Sequence, residues 1–378
     1  MASTLGIIGG GQLGMMLTEA ARGMPEHISE VIVLDPSPGC PASQAGAKQI
    51  AAGYADGSAI RELASRADVI TYEIESGDAD ALESVLDITE VRPPPETLRM
   101  IQDKYVQKSF LKENKIPVGD FAPAGTIDEL KEGLERFGRP ALLKARRGAY
   151  DGRGNRVIQK GDDAAAALEQ MGAPAYLEKM INYTMEVSVM AARSTSGEIR
   201  TYHPVENKHK DGILHMSIAP ARIDENTARA AGQAARDVLD RIGGAGVFGI
   251  EMFVEKRGGI LVNEVAPRVH NSGHHTLQSC ITSQFEQHLR AVLGLELGDT
   301  KLLRPAVMCN ILGPPGFEGR YKPVAAPEGI HLKMYGKESS RPGRKMGHYT
   351  VTGSWDQDVE RLVDEARLAG ETIRLAPT

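Results

Sequence analysis

The stretch Val247-Phe-Gly-Ile-Glu-Met-Phe-Val-Glu-Lys-Arg-Gly-Gly-Ile-Leu-Val-Asn-Glu-Val-Ala-Pro-Arg-Val-His-Asn-Ser-Gly-His-His275 decides how the chain is read. Two alternating apolar runs flank Lys-Arg-Gly-Gly, the pattern of a β-hairpin turning near Arg257 and Gly258. Counting outward from that turn pairs Glu255 with Ile260 and sets Glu251 opposite Glu264, so two carboxylates are expected side by side on one face. Like charges placed so are destabilising unless something compensates them. Magnesium, or manganese in its place, would do so while keeping positions for water and a substrate phosphate. The bland alternative is two glutamates on a solvated face. The loop after the hairpin favours a ligand: Arg268, His270, Asn271, His274 and His275 crowd it with many donors and little to pack.

A chain of 378 residues is too long for one simple core and implies two or three domains. We expect boundaries near residues 1–100, 101–298 and 299–378, with a mobile subdomain around 140–195. A net charge of −6 and a pI near 6.0 argue against nucleic acid as a partner, because phosphate-backbone binding needs a basic face. Cys40, Cys280 and Cys309 are odd in number and far apart, and read as reduced thiols. With no leader and no apolar run approaching ~18 residues, a cytoplasmic protein without a membrane partner is expected.

From the N-terminus, a buried strand runs into a glycine loop and a helix over residues 12–23. Gly9, Gly11 and Gly14 satisfy G-x-G-x-x-G, and Asp35 closes the next strand, Val31 to Leu34. Alone, this indicates a nicotinamide-dependent oxidoreductase, although the same loop can hold any phosphate at a helix N-terminus. Further strands at Lys48–Ala52 and Asp68–Tyr72 make a parallel α/β domain. Glu73 and Glu75 sit just past the end of the last one, where ligands of open sheets bind; they could equally be helix-start carboxylates. A proline-rich break, Val91 to Pro95, precedes a helix carrying Asp103, Lys104 and Lys108.

A short strand, Pro140 to Lys144, leads into the basic glycine loop 145–155, whose amides suit phosphate. Two strands joined by a turn come next, Ala175–Glu178 and Met185–Ala192, and their Glu178 and Glu186 could accept from a ligand's hydroxyls or amino group. Segments Ile199–His203 and Ile213–Ile218 are joined by residues 206–212. The helix Glu225–Ile242 presents apolar positions at helical spacing and belongs to the core. Residues 300–378 read as a small separate lobe, where Lys337, Arg341, Arg344 and Lys345 gather about a Pro-Gly turn. They suit a phosphomonoester or carboxylate, or a solvated tip.

A basic glycine loop, nucleoside-suited glutamates and paired carboxylates make a nucleotide-triphosphate and metal site, without a G-x-x-x-x-G-K-[ST] loop. The sequence resembles the ATP-grasp superfamily and, within it, the 5-(carboxyamino)imidazole ribonucleotide synthetase family. The resemblance spans essentially the whole chain. It rests on Gly-Gly-Gly-Gln-Leu-Gly (9–14), Thr-Tyr-Glu-Ile-Glu (71–75), Tyr-Asp-Gly-Arg-Gly (150–154) and His-Lys-Asp-Gly-Ile-Leu (209–214). Asn-Glu-Val-Ala-Pro-Arg-Val-His-Asn-Ser-Gly-His (263–274) and Arg-Pro-Gly-Arg-Lys-Met-Gly-His (341–348) complete it.

That resemblance implies an α/β and α+β chain: a Rossmann-like pre-ATP-grasp domain, an ATP-grasp domain and a C-terminal substrate lobe. It implies that Lys104, Lys144 and the loop Ala149, Tyr150, Asp151, Gly152, Arg153, Gly154 and Asn155 meet ATP phosphates. Glu178, Lys179, Met180 and Ile181 would meet adenine, Glu186 the ribose, and His209 and Asn263 the pocket wall, with Glu251 and Glu264 on magnesium. Arg268, His270 and Asn271, with Asp151 and Arg153, are the implied catalytic group. Gln12, Leu13, Glu73, Tyr150, Asp151, Lys337, Arg344 and Lys345 would bind aminoimidazole ribonucleotide, which bicarbonate would carboxylate through carboxyphosphate. A homodimer and association with a downstream mutase are also implied. The alternatives are a formate-dependent glycinamide ribonucleotide transformylase, the nicotinamide-dependent oxidoreductase, and a nucleotide-sensing module without turnover.

Overall fold

The computed structural model describes residues 2–148, 154–322 and 324–378. Among the described residues the strands form three sheets. The first is parallel, ordered β3-β2-β1-β4-β5: β1 (Ser3–Ile8), β2 (Ile28–Leu34), β3 (Lys48–Ile50), β4 (Val69–Tyr72) and β5 (Glu90–Val91). Its strands are apolar on both faces, as a sheet covered on both sides requires. Helices α1 (Gln12–Arg22), α2 (Pro41–Gln44), α3 (Gly57–Ala64) and α4 (Ala79–Glu83) connect them. The strand order reverses at β1, and the crevice at the carboxyl ends of β1 and β4 holds Gly9–Gly11 and Glu73.

Helices α5 (Pro95–Ile101) and α6 (Lys104–Glu113) lead out of this domain. They replace the single expected helix because Asp103 is an N-cap, its carboxylate accepting from the Tyr105 and Val106 amides. A small antiparallel sheet comes next, ordered β6-β9-β7-β8, from β6 (Phe121–Pro123), β7 (Ala141–Ala145), β8 (Asn155–Ile158) and β9 (Ala175–Lys179). Helices α7 (Ile127–Phe137) and α8 (Ala164–Met171) cover it, Leu130, Leu134 and Ala167 sharing a core with Leu177 of β9.

The third sheet begins with β10 (Tyr183–Arg193), β11 (Ile199–Thr201), β12 (Val205–Lys210), β13 (Ile213–Ala219), β14 (Gly246–Glu255) and β15 (Ile260–Ala266), packed beneath α9 (Glu225–Ile242). Residues 206–212, expected as a connection, supply β12 and a tight turn. Asp211 (φ 52) and Gly212 (φ 76) are both left-handed, the geometry an Asp-Gly hairpin favours. The expected pair of strands around Glu178 and Glu186 does not pair: β9 and β10 lie in different sheets, and residues 180–182 cross between them.

Helices α10 (Thr276–Ser279) and α11 (Gln284–Val292) come after the hairpin, then β16 (Ala306–Leu312), β17 (His331–Met334), β18 (Lys345–Thr352) and α12 (Val359–Thr372). The C-terminal lobe has its own core of Ile311, Met346, Leu362 and Ala366, but that core also takes Met216 and Ile218. It is therefore less separate than its sequence suggests. β16 pairs with β13, Met216 against Cys309, so the large sheet runs on as β15-β14-β10-β12-β13-β16-β18-β17. The hairpin and the C-terminal strands thus share one sheet.

Candidate active site

Glu251 and Glu264 stand directly opposite one another on β14 and β15. The route to that pairing differs from the simple count. Val254, not Glu255, faces Ile260, and Met252 faces Val262. A register shift between Glu251 and Met252 leaves Asn263 as the extra residue of a bulge, which restores the carboxylate pair. Bulges re-aim side chains beside sites, and Asn263 Oδ1 is buried without a hydrogen-bond partner. Lys104 Nζ donates to Glu264 Oε2 at 2.9 Å. The cleft leaves 29 % of the Glu251 side chain accessible. Even so, burial first and the Glu264 charge second push its carboxyl up to about 7. Among the described residues no group of three or more His, Cys, Asp and Glu could enclose a metal. Two carboxylates and an orphaned amide oxygen fit a hard cation that takes its remaining ligands from water and phosphate.

Beside this pair, Glu186 on β10 accepts from Tyr183 Oη at 2.7 Å and faces His209 Nδ1 at 2.7 Å. Tyr183 stacks on Phe253, centroids 4.5 Å apart. Burial is the largest influence on His209 and disfavours its charge, but the hydrogen bond and charge of Glu186 outweigh it and raise the pKa. The result is an aromatic wall with a hydrogen-bonding carboxylate at its edge. Glu178 does not offer its carboxylate to a ligand: it is buried against Lys108 Nζ (2.7 Å), Lys144 Nζ (2.9 Å) and the Tyr176 hydroxyl (2.9 Å). Beyond it the chain crosses between the two sheets. There Lys179 and Met180 are exposed, and Ile181 packs so closely on Gly119 that a Cβ there would lie 2.6 Å from it.

Gly154 (φ 75) and Asn155 bring the chain back into β8 opposite Lys144. The root of the glycine loop is tied down by Asp103, which accepts from Arg146 Nε at 3.0 Å and Nη2 at 2.7 Å. Ala149, Tyr150, Asp151, Gly152 and Arg153 lie outside the described residues.

The segment after β15 is better packed than its donors suggested. His274 and His275 are buried, and burial drives both imidazoles neutral, His275 to about 3. Arg268, His270 and Asn271 do reach the cleft. Arg268 Nη2 is 2.9 Å from Glu75 Oε1, while its Nε is buried without a partner. His270 Nδ1 meets Ser272 Oγ at 2.8 Å, and Nε2 lies 3.4 Å from Glu251 Oε1. Burial, helped by the charges of Arg268 and Lys345, holds His270 well below its ordinary pKa. It meets Glu251 as a neutral ring. Asn271 and Asn310 exchange amide hydrogen bonds of 3.0 and 2.6 Å. The sequence signals for Glu75 and Asn310 were a second acidic residue in Thr-Tyr-Glu-Ile-Glu and a lone polar residue inside an apolar strand.

At the far end, Gln12 opens α1 half-buried, whereas the Leu13 side chain belongs to the core and leaves only its backbone to a ligand. Glu73 is 5 % exposed and accepts from the Gly11 amide at 2.8 Å. Burial lifts it to about 7, with the Gly11 hydrogen bond and the charges of Arg268 and Lys337 opposing. Across the crevice, Lys337 Nζ donates to the Lys345 carbonyl at 2.6 Å, and Arg344 donates to the Ser339 carbonyl. Burial first, then Arg344, pushes Lys337 down to about 8.

This arrangement overturns the oxidoreductase expectation. Asp35 is spent within the protein, accepting from the Gly10 amide, the Ser37 amide and Tyr54. Glu73 occupies the helix N-terminus where a pyrophosphate would rest; a Cβ on Gly9 or Gly11 would lie 2.7 or 2.8 Å from its side chain.

Comparison with known proteins agrees with the geometry. Residues 1–102 match the ribonucleotide synthetase preATP-grasp domain, 109–285 the ATP-grasp domain, and 306–362 the phosphoribosylaminoimidazole carboxylase C-terminal domain. A protein of Brucella melitensis, N5-carboxyaminoimidazole ribonucleotide synthase, is 43% identical over 353 residues, covering 92% of this chain and 96% of its own. The crystal structure of N5-carboxyaminoimidazole ribonucleotide synthetase from Thermotoga maritima is 43% identical, with a TM-score of 0.89 over 100% of both chains. That of the Aspergillus clavatus synthase with ADP and 5-aminoimidazole ribonucleotide is 33% identical, with a TM-score of 0.88 over 98% and 99%.

Proposed function

The chain belongs to the N5-carboxyaminoimidazole ribonucleotide synthase family of ATP-grasp ligases, and on that premise we propose how its cleft works. The reaction is the ATP-dependent carboxylation of 5-aminoimidazole ribonucleotide by bicarbonate, giving 5-(carboxyamino)imidazole ribonucleotide, ADP and phosphate in purine biosynthesis. The observation that carries this reading is the Glu251–Glu264 pair, set within one sheet between a nucleotide wall and a basic ribonucleotide end.

Magnesium held at Glu251 and Glu264 would supply charge neutralisation on the transferring phosphoryl group. ATP lies with its adenine on the backbone of 178–181, its ribose on Glu186, and its phosphates toward Lys104 and Lys144. Bicarbonate rests on Arg268, neutral His270 and Asn271, and one of its oxygens attacks the γ-phosphorus as ADP departs. The exocyclic amine of the ribonucleotide then attacks the carbonyl carbon of the resulting carboxyphosphate. The N–C bond forms, the bond from carbon to the phosphate oxygen breaks, and phosphate and the amine proton leave. Arg268 exchanges Glu75 for this anion, and Lys337, Arg344 and Lys345 take the ribonucleotide phosphate while Glu73 and Gln12 orient the rest. A labile mixed anhydride demands exclusion of water.

Among the described residues no helix is long and apolar enough to cross a membrane. A homodimer and association with a mutase complete the proposal, and light scattering with and without the mutase tests both. Phosphate release from ATP, magnesium and the ribonucleotide, with and without bicarbonate, tests the reaction. We expect release only when both co-substrates are present. Release driven by formate and glycinamide ribonucleotide would transfer the chain to the transformylase reaction.

A further inference from the structure

Lys108 carries a charge that the carboxylation chemistry does not use. It lies one turn of α6 beyond Lys104, with 2 % of its side chain exposed. Its Nζ is 2.7 Å from Glu178 Oε1, an ion pair sealed inside the protein. The same oxygen accepts from the Tyr176 hydroxyl at 2.9 Å. The other oxygen, Oε2, is 2.9 Å from Lys144 Nζ. One buried carboxylate therefore holds two lysines through separate oxygens, and the cluster has a net positive charge. Burial pushes the Lys108 ammonium below its ordinary pKa, while the two lysines overcome burial to bring Glu178 down to about 2.

A second buried ammonium is a poor device for stability, since desolvating it costs more than a lone carboxylate partner returns. It makes sense if the first cation has to leave. Lys144 is the more accessible lysine, with 11 % of its side chain exposed, and it pairs across β7 and β8 with Asn155 at the end of the glycine loop. If Glu178 had Lys144 alone, drawing that lysine to a phosphate would strand a bare carboxylate in the interior, a strongly unfavourable step.

We propose that Lys108 is a positioning residue for ATP: it keeps Glu178 neutralised through Oε1, so that Lys144 can leave Oε2 for the nucleotide phosphates. This role rests on the ATP-dependent reading of the cleft. Helix α6 then serves both sheets, Lys104 reaching Glu264 in the large one and Lys108 reaching Glu178 in the small one.

The test compares Lys108→Met, Lys108→Arg, Glu178→Gln and the double variant Lys108→Met/Glu178→Gln. It reads the KM for ATP, the KM for the ribonucleotide and ADP binding by calorimetry. Lys108→Met should weaken ATP and ADP about tenfold or more while the ribonucleotide KM stays within about twofold, the range of coupling between contacting charges. Lys108→Arg should recover most of the loss. In the Glu178→Gln background the Lys108→Met change should have little further effect, because no charge remains to be neutralised. An unchanged ATP KM in Lys108→Met, or an equal loss in the Glu178→Gln background, overturns the proposal. If Lys108→Met does not fold, comparing Glu178→Gln with the double variant decides alone: coincidence supports it and divergence overturns it. Failure of the wild type to bind ADP or consume ATP would instead sink the functional reading.

Discussion

The two ends of the cleft are frustrated in opposite senses. At the hairpin end, Glu251 and Glu264 face each other and Glu251 is pushed up to about 7. At the C-terminal end, burial first and then the charge of Arg344, with smaller help from Lys345 and Arg341, push Lys337 down to about 8. Neither cluster is arranged for the stability of the protein alone, because like charges brought together raise the energy of the fold. On the proposed reading each awaits a ligand of the other sign, a cation at the first and a phosphate at the second. Between them, Arg268 with Glu75, and Lys104 with Glu264, are already paired. On the proposed reading, the middle of the cleft is where anions exchange.

The contrast can be broken first at its acidic end. Glu264→Gln should cost on the order of 10²–10³ in bicarbonate-dependent phosphate release, the usual effect of deleting an electrostatic group at the reacting centre. Circular dichroism should show the fold retained; full activity would mean that the pair holds no metal. At the basic end, Arg344→Met should raise the KM for the ribonucleotide roughly 10–100-fold, as expected for one charge-assisted hydrogen bond of about 1.5–3 kcal/mol. The KM for ATP should stay unchanged. A parallel rise in both would show that the two ends are not separate subsites.

A pH series sharpens the comparison with a smaller effect. Lys337, lowered to about 8 by burial and Arg344, is charged below that pH and loses its proton above it. kcat/KM for the ribonucleotide should therefore fall by about tenfold per pH unit at most beyond the turn. Lys337→Arg should remove the alkaline fall. The smallest effect is on stability. Glu251 and Glu73 are raised from 4.5 to about 7 in the folded protein, both chiefly by burial. The native state thus holds their protons more tightly than the unfolded chain, and stability is lost as pH rises from about 4.5 through about 7. Chelator-treated protein should melt a few degrees lower at pH 7.5 than at pH 5, the scale of shift expected for a chain of this size. Magnesium should recover the Glu251 part of that loss, and Glu251→Gln should lessen it without metal. A melting curve insensitive to both would mean that the fold does not hold the Glu251 proton and that the pair takes no metal.

Much of this was legible from sequence wherever neighbouring residues decide the outcome. The hairpin placed Glu251 opposite Glu264 because a period of two fixes faces, although the count missed the bulge at Asn263 and named the wrong partner for Ile260. Residues 206–212 read as a connection because they are polar, and the hairpin at Asp211-Gly212 went unread. Helix α9 ran over the residues its apolar spacing indicated, from an Asp224 cap.

What the chain determined by itself was therefore the type and face of its elements, its three-part order and its charged motifs, because propensity, capping and periodicity act over a few residues. What only the tertiary structure decided was the partner of each face. Glu73 sits on the Gly11 amide 62 positions away, Glu264 on Lys104 160 positions away, and the last strands join β13 instead of closing a sheet of their own. Periodicity states which side of a strand is buried or exposed; it carries no information on which distant group will meet it there. That choice is made by the packing of the whole chain.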